Sequence, residues 1–186
     1  AKRVHIALEK GYLLETMINE FFEITRYNSQ QITLSKETID LYYMLVQLSD
    51  ELSPVFAPRG NTVALHLAED LTVEADPEKL ARVFSNILKN AASYSYPHTE
   101  ITISAEKSEH EVIIQFQNSG EDIPSEALVS LFDKFYRADK SRSSDTGGTG
   151  LGLAIAKEIV TLHGGAISAS SKNHVITFTI SLPLAN

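Results

Sequence analysis

The feature that most restricts what this chain can become is a change of hydrophobic period along it. Alternate residues are apolar over Thr62 to Leu67, Leu71 to Glu74, Ile101 to Ala105, Val112 to Gln117 and Ile176 to Leu182, as in strands with one buried face. Between them apolar residues recur at spacings of three and four, which predicts helices at about 77–93, 125–132 and 150–163. A further helix is expected from about Ile39 to Phe56, closed by Pro54, Pro58 and Gly60, after a short strand at Ile32 to Leu34. The strands within 101–117, joined by Lys-Ser-Glu-His, read as an antiparallel hairpin. The expected fold class is α/β: a two-layer sandwich of mixed β-sheet and helices, without solenoid repeats.

One amphipathic helix precedes that sandwich. From Val4 to Tyr27, Leu13, Leu14, Met17, Ile18, Phe21, Ile24 and Thr25 recur at helical spacing and form an arc wider than a two-stranded seam. Such an arc suits a helix packed against two neighbours in a bundle. Ala1, Lys2 and Arg3 offer no N-cap, so the bundle partner of this helix is expected to be cut away or to come from another chain.

Composition narrows the chemistry. The 186 residues are 43% hydrophobic and 22% charged, enough for one real core plus a small appendage. Having no cysteine excludes disulfides, a thiolate zinc site and a cysteine nucleophile, and fits a reducing, cytoplasmic setting. With 16 Lys+Arg against 24 Asp+Glu, the net charge of -8 speaks against nonspecific nucleic-acid binding. The sequence has no signal-peptide pattern, and no uncharged apolar run approaches the roughly 20 residues of a membrane span, so the chain as given is expected to be soluble.

Four elements carry candidate chemistry. Gly147, Gly148, Gly150 and Gly152 precede a helical pattern, where backbone N–H groups and the helix N-terminus can receive phosphate; a plain flexible turn is the alternative. The loop is neither a Walker A motif nor a dinucleotide fingerprint. Asp76-Pro77 opens a helix whose buried arc is Leu80, Val83, Phe84, Ile87, Leu88 and Ala91, with Asn86 and Asn90 on its shoulder. Their amide oxygens could reach a phosphate-borne Mg²⁺, or the pair could be a surface accident or a link to a neighbouring loop. Asn118-Ser-Gly120-Glu-Asp-Ile-Pro ends a strand in a turn that could read a nucleobase edge. Phe132 to Arg137 leads into a Ser/Asp/Gly-rich stretch to Thr149, with Lys134, Arg137, Lys140 and Arg142 close together; it is either a solvated loop or a lid over a polyphosphate.

In this order and spacing the chain resembles the catalytic region of sensor histidine kinases of the GHKL superfamily. Asn86-Ile-Leu-Lys-Asn90-Ala is similar to its N box, Asn118-Ser-Gly120 to its G1 box, Phe132 to Arg137 to its F box, and Gly148-Thr-Gly150-Leu151-Gly152-Leu153 to its G2 box. Within that family Asn19 to Tyr27, Asp40 to Gln47 and Lys134 to Glu158 look closest to the VanS vancomycin-resistance sensors. The resemblance implies the Bergerat (GHKL) ATP-binding fold at 31–186, preceded at 1–30 by the truncated second helix of a dimerisation and phosphotransfer bundle. It implies ATP and Mg²⁺ as cofactors, with Asn90 as metal ligand, Asn86 beside the phosphates and Tyr94 near the ribose. Asn118 would stand in place of an adenine-reading Asp, and Gly120 would give the base room. Gly148, Gly150, Leu151, Gly152 and Leu153 would line the phosphates, Phe135 would anchor the lid, and Thr177 would touch the adenine pocket. Asn86 and Arg137 would be the catalytic pair, the latter reaching toward the γ-phosphate.

The implied activity is transfer of the γ-phosphoryl to a histidine on a first bundle helix, then to an aspartate of a VanR-like response regulator. The full protein would be a homodimer through the bundle, anchored in the cell membrane, with this part cytoplasmic. The alternatives are a noncatalytic nucleotide-binding module that regulates docking, or a GHL-type ATPase, against which Asn86 stands because an amide cannot act as a general base. Departures from the family pattern are Asn118, Asp122 at a glycine position where positive φ could be required, and Ser93 where many members carry Lys. His5, flanked by Val4 and Ile6, has no adjacent carboxylate and reads as a surface or partner-facing imidazole rather than the acceptor; His163 before Gly164-Gly165 is expected to satisfy a helix C-terminus. No histidine spacing points to a metal site.

Overall fold

A computed structural model describes residues 2–28, 33–136 and 149–185. The elements run α1 (Lys2–Asn28), β1 (Glu37–Asp40), α2 (Leu41–Phe56), a 3₁₀ turn (Ala57–Arg59), β2 (Thr62–Leu67), β3 (Thr72–Ala75), α3 (Pro77–Tyr94), β4 (Glu100–Lys107), β5 (Glu111–Ser119), α4 (Ser125–Ser130), α5 (Gly152–Leu162), β6 (Ala166–Lys172) and β7 (Val175–Pro183). Five strands form one sheet in the order β2-β4-β5-β7-β6, while β1 and β3 form a separate antiparallel pair. In this sheet only β2 and β4 are parallel, so it is mixed, as expected.

The core follows strand parity. Ile101 and Ile103 of β4, Val112, Ile114 and Phe116 of β5, and Ile176, Phe178 and Ile180 of β7 are buried on the face that meets the helices. Against them α3 presents Leu80, Val83, Phe84, Ile87 and Leu88, with the Phe84 and Phe116 rings 5.6 Å apart. Each such side chain contributes about 1.5–3 kcal/mol through burial. The Ser- and Ala-rich strand β6, which hydrophobic periodicity does not reveal, pairs along β7 from Ala166↔Ser181 to Lys172↔Val175.

Three boundaries depart from expectation. Thr33 and Leu34 are not strand, and Ile32 lies outside the described residues; the strand is instead Glu37–Asp40, placed by Ile39 opposite Val73. Ile39 therefore belongs to β1, and α2 starts at Leu41 because Asp40 stays extended and its carboxylate accepts the Tyr42 N–H at 2.9 Å. Pro54 sits inside α2 rather than ending it, and the chain turns at Gly60 with φ 67°.

Helix α1 docks by its C-terminal part. Ile24 and Tyr27 are buried, Glu23 pairs with Arg82 of α3, and Phe21 stacks on Phe135 with centroids 6.1 Å apart. Farther toward its N-terminus Val4, Leu8, Tyr12 and Leu14 are all more than half exposed. His5 does have a carboxylate partner, Glu9 one turn on at 3.3 Å, which spacing to its immediate neighbours concealed.

Candidate functional site

Helices α3 and α5 run antiparallel and are fastened at two points. At one end, Asp76 caps α3 by accepting the Lys79 N–H at 3.1 Å, and its other carboxylate oxygen accepts the Ser35 N–H at 3.0 Å. The Asp76 N–H donates to His163 Nε2 at 3.0 Å, and His163 Nδ1–H donates to the Ile159 carbonyl at 2.7 Å, satisfying the end of α5 as expected. This arrangement fixes a neutral imidazole, and burial pushes its pKa below the usual histidine value despite the bond to Ile159. At the other end, Asn86 Nδ2 donates to the Gly152 carbonyl at 3.0 Å. The link-to-a-loop reading of Asn86 is therefore real, yet it uses only the nitrogen and leaves the amide oxygen as an acceptor.

Beside this second fastening lies a cavity of about 820 Å³. Of the residues singled out from sequence, Asn86, Asn90, Tyr94, Gly150, Gly152 and Leu153 line it. Gly152 packs its Cα side against Asn86, where a Cβ would fall 3.6 Å from Asn86 Cγ, and Gly150 has φ 75° with the Phe135 backbone closing on it. The polar end also carries Lys89 and Arg59; the latter donates to the Ala92 and Ser93 carbonyls at 3.2 and 2.6 Å. Ile123, Pro124, Leu131, Ile176 and Phe178 form the apolar end. Ile123 and Pro124 belong to the turn expected to meet a nucleobase edge, and Ile176 and Phe178 follow from parity on β7; nothing in the sequence singled out Leu131.

Helix α1 reaches the cavity with Thr16 and Glu20. Glu20 accepts from Thr149 Oγ1, which in turn accepts the Leu151 N–H at 3.2 Å. A second cleft of about 500 Å³ between α1 and α3, lined by Asn19, Glu23, Arg26, Lys79 and Arg82 among others, lies away from the glycine turn.

Several expected positions fall elsewhere. Asn118 does not line the cavity surface; it is 3% exposed beneath it, on the same β5 face as Phe116, and its amide nitrogen has no hydrogen-bond partner. Gly120 has no positive φ and makes no free room: it bridges to Ser95, and a Cβ there would lie 2.7 Å from the Tyr94 carbonyl oxygen. Asp122 likewise has ordinary φ, and its carboxylate accepts the His174 N–H at 2.8 Å and the Ser171 hydroxyl at 3.3 Å. Leu151 is fully buried as the residue preceding α5.

Phe135, at φ 63°, turns away from the cavity onto Phe21, while Phe132 takes the inward position, edge-on to Phe178 with centroids 6.3 Å apart. Thr177 lies opposite Gln117 and so faces away from the helices; its neighbours Ile176 and Phe178 are the cavity residues. Arg137 and Gly148, with Gly147, Lys140 and Arg142, lie outside the described residues.

Known proteins agree with this architecture. VanS of Enterococcus faecium is 58% identical over 183 residues, 98% of this chain and 47% of the relative. VanSC of Enterococcus gallinarum is 46% identical over 178 residues, 96% of this chain and 49% of the relative. The chain thus spans about half the length of these curated relatives. Among solved structures, full-length ShkA in complex with AMPPNP superposes with TM-score 0.85 at 23% identity, covering 100% of this chain and 40% of that one. Histidine kinase ThkA in complex with the response regulator protein TrrA superposes with TM-score 0.81 at 24% identity, covering 100% and 51%. Residues 75–186, from the α3 cap to the C-terminus, match the family described as histidine kinase-, DNA gyrase B-, and HSP90-like ATPase, and the chain belongs to that family.

Proposed function

We propose that the α3–α5 cavity binds Mg²⁺-ATP and that this chain is the catalytic part of a two-component sensor histidine kinase. It donates the γ-phosphoryl to a histidine on another bundle helix, for relay to the aspartate of a VanR-like response regulator in glycopeptide-resistance signalling. The observation that carries this reading is the side-by-side placement of two asparagine amides, the α5 N-terminus and an apolar recess in one cavity.

The donor chemistry fits. Asn90 offers an amide oxygen to a hard cation, and Asn86, its nitrogen already bonded, offers the same. Among the described residues no group of three or more His, Cys, Asp or Glu could hold a metal by itself, so the ion would come with the phosphates. Bound Mg²⁺ supplies neutralisation of phosphate charge. The N-terminal amides of α5, from Gly152 and Leu153 onward, orient phosphate oxygens with their free N–H groups. Ile123, Leu131, Ile176 and Phe178 exclude water around the base, and Tyr94 stands at the ribose side.

Asn86 cannot take a proton from water, which favours transfer to a protein side chain. Of the three carboxylates that line the cavity among the described residues, Glu20 is engaged by Thr149 and Asp122 by His174 and Ser171, and Glu121 is not free either. Phosphoryl transfer then depends on positioning an in-line nucleophile rather than on covalent chemistry by this chain. The exposed apolar residues of α1, Val4, Leu8, Tyr12 and Leu14, are the surface on which a bundle partner and a second protomer would pack. No described helix is long and apolar enough to cross a membrane, so the anchor would belong to the rest of the longer protein.

The test is to mix the protein with a separate bundle helix carrying the acceptor histidine, then add ATP and Mg²⁺. Acid-labile phosphate on that helix is the expected product. Free phosphate without labelling would assign an ATPase instead, and nucleotide binding with neither product would assign a regulatory module.

A further inference from the structure

Arg59 is brought to the cavity by an element with no other residue in its wall. It ends the 3₁₀ turn between α2 and β2, ahead of the residues 75–186 that match the family. Its backbone is held from behind, where the Arg59 carbonyl accepts the His98 N–H at 3.0 Å and the buried Asn61 amide donates to the Tyr96 and Thr99 carbonyls at 2.8 and 3.0 Å. Its side chain is fixed as well. Nη1 donates to the Ala92 and Ser93 carbonyls, acceptors that the last turn of α3 leaves open. A cation is stabilising at a helix C-terminus, so a cap is the plain reading. Yet one nitrogen makes both bonds, and the hydrogens on Nη2 and Nε remain. Among the described residues no carboxylate pairs with them. A planar, permanently charged group anchored by one nitrogen offers the others as a fork for an oxyanion. Lys89, the other described cation of the wall, is exposed.

We propose that Arg59 binds the phosphate next to the ribose, a group that nucleoside di- and triphosphates share. The inference rests on the nucleotide reading above. Position along α3 decides which phosphate it meets. Asn86 is bonded to Gly152 at the start of α5, where the outer phosphates are received. Ser93, whose carbonyl holds the guanidinium, lies about 10 Å farther along the helix axis, next to Tyr94 at the ribose side. The fork of Arg59 is therefore tied to the ribose end of the polar wall and not to the α5 end. Among the described residues that wall carries three carboxylates, Glu20, Glu121 and Asp122, so a fixed positive group at the inner phosphate offsets charge that would otherwise repel it.

Arg59→Gln removes the charge and keeps an amide donor for the two carbonyls. Calorimetric titration of the full chain with ADP and with AMPPNP, each with Mg²⁺, should show both weakened about tenfold or more, by factors within about twofold of each other. Ser93 also lines the cavity, so Ser93→Lys in the Arg59→Gln protein returns a cation to the same end. It should bring both nucleotides to within about threefold of the wild type, which repair of a merely structural loss at the end of α3 would not explain. Three results would overturn the proposal: Arg59→Gln affinities within about twofold of the wild type, a loss confined to AMPPNP, or no recovery on adding Ser93→Lys. If Arg59→Gln fails to fold, Arg59→Lys decides. It keeps the charge but loses the fork, and should weaken both nucleotides about threefold or more; an unchanged affinity would count against Arg59. Wild-type protein that binds neither nucleotide sinks the nucleotide reading itself, whereas wild-type binding that is indifferent to Arg59 sinks only the role given to this residue.

Discussion

Replacing Asn90 by Ala separates ligand chemistry from folding. Among the described residues three carboxylates, Glu20, Glu121 and Asp122, line the cavity with two cations, Arg59 and Lys89, so that part of the wall carries more negative than positive charge toward a polyphosphate. A phosphate charge about 6 Å from one carboxylate is repelled by roughly 1–3 kcal/mol at an effective dielectric of about 20–60. A divalent ion that offsets this should raise nucleotide affinity about tenfold or more, and linkage makes the effect reciprocal. Asn90 stands on the α3 shoulder, half-buried and outside the Leu80–Ala91 core face, so its truncation opens no hole. Alanine is the better helix former by about 0.5 kcal/mol, which predicts a melting temperature unchanged or raised by about 1–2 °C. Titrating nucleotide with and without Mg²⁺ should show the wild-type enhancement falling below about threefold in Asn90→Ala and returning in Asn90→Asp. An undiminished magnesium effect in the alanine variant would refute the assignment of Asn90.

Other positions give independent tests. Because His163 is held neutral with its pKa lowered, the unfolded chain takes up its proton first as pH falls; its stabilisation is full above about pH 6.5 and is lost below it, by at most about 1.4 kcal/mol per pH unit. Urea unfolding across that range should show this slope in the wild type and a shallower one in His163→Leu. Asp76→Ala removes a helix cap and strands the Ser35 N–H, for a loss of about 2–3 kcal/mol, read as a melting temperature lower by about 5–10 °C. Gly120→Ala drives a Cβ toward the Tyr94 carbonyl and should cost about 1–3 kcal/mol by thermal unfolding, with weaker nucleotide binding because Tyr94 is displaced. In the transfer assay, His5→Gln should leave labelling of the acceptor helix nearly unchanged, since the His5–Glu9 pair is fully on the surface.

Elements whose burial is set within one segment were legible. The α3 arc and the Asn86/Asn90 shoulder follow from helical spacing alone, and the same spacing places both amides in one cavity. Positions fixed by a distant partner were not. Strand β6, whose Ser170 and Ser171 carry little hydrophobic signal, exists because β7 offers it an edge, and β1 was misplaced because Ile39 acquires its register only from Val73. The same limit explains Thr177. Only the pairing of β7 with β5 reveals that Ile176, not Thr177, shares a face with Asn118. Gly120 was expected to give a base room, whereas a carbonyl from the end of α3 closes on it, a contact no local spacing encodes.

The two fastenings between α3 and α5 carry a consequence for binding entropy. Asp76–His163 and Asn86–Gly152 lie ten residues apart along α3, about 15 Å at helical rise, and tie opposite ends of α5 to the same rod. One tie would leave a pivot. Two remove it, so the free amides at the start of α5 keep a set distance and angle from the asparagine oxygens before any anion arrives. The freedom that a loose loop would surrender on each encounter has already been surrendered once, during folding. Loosening either tie should therefore appear first as faster ligand dissociation, even where the helices themselves remain intact.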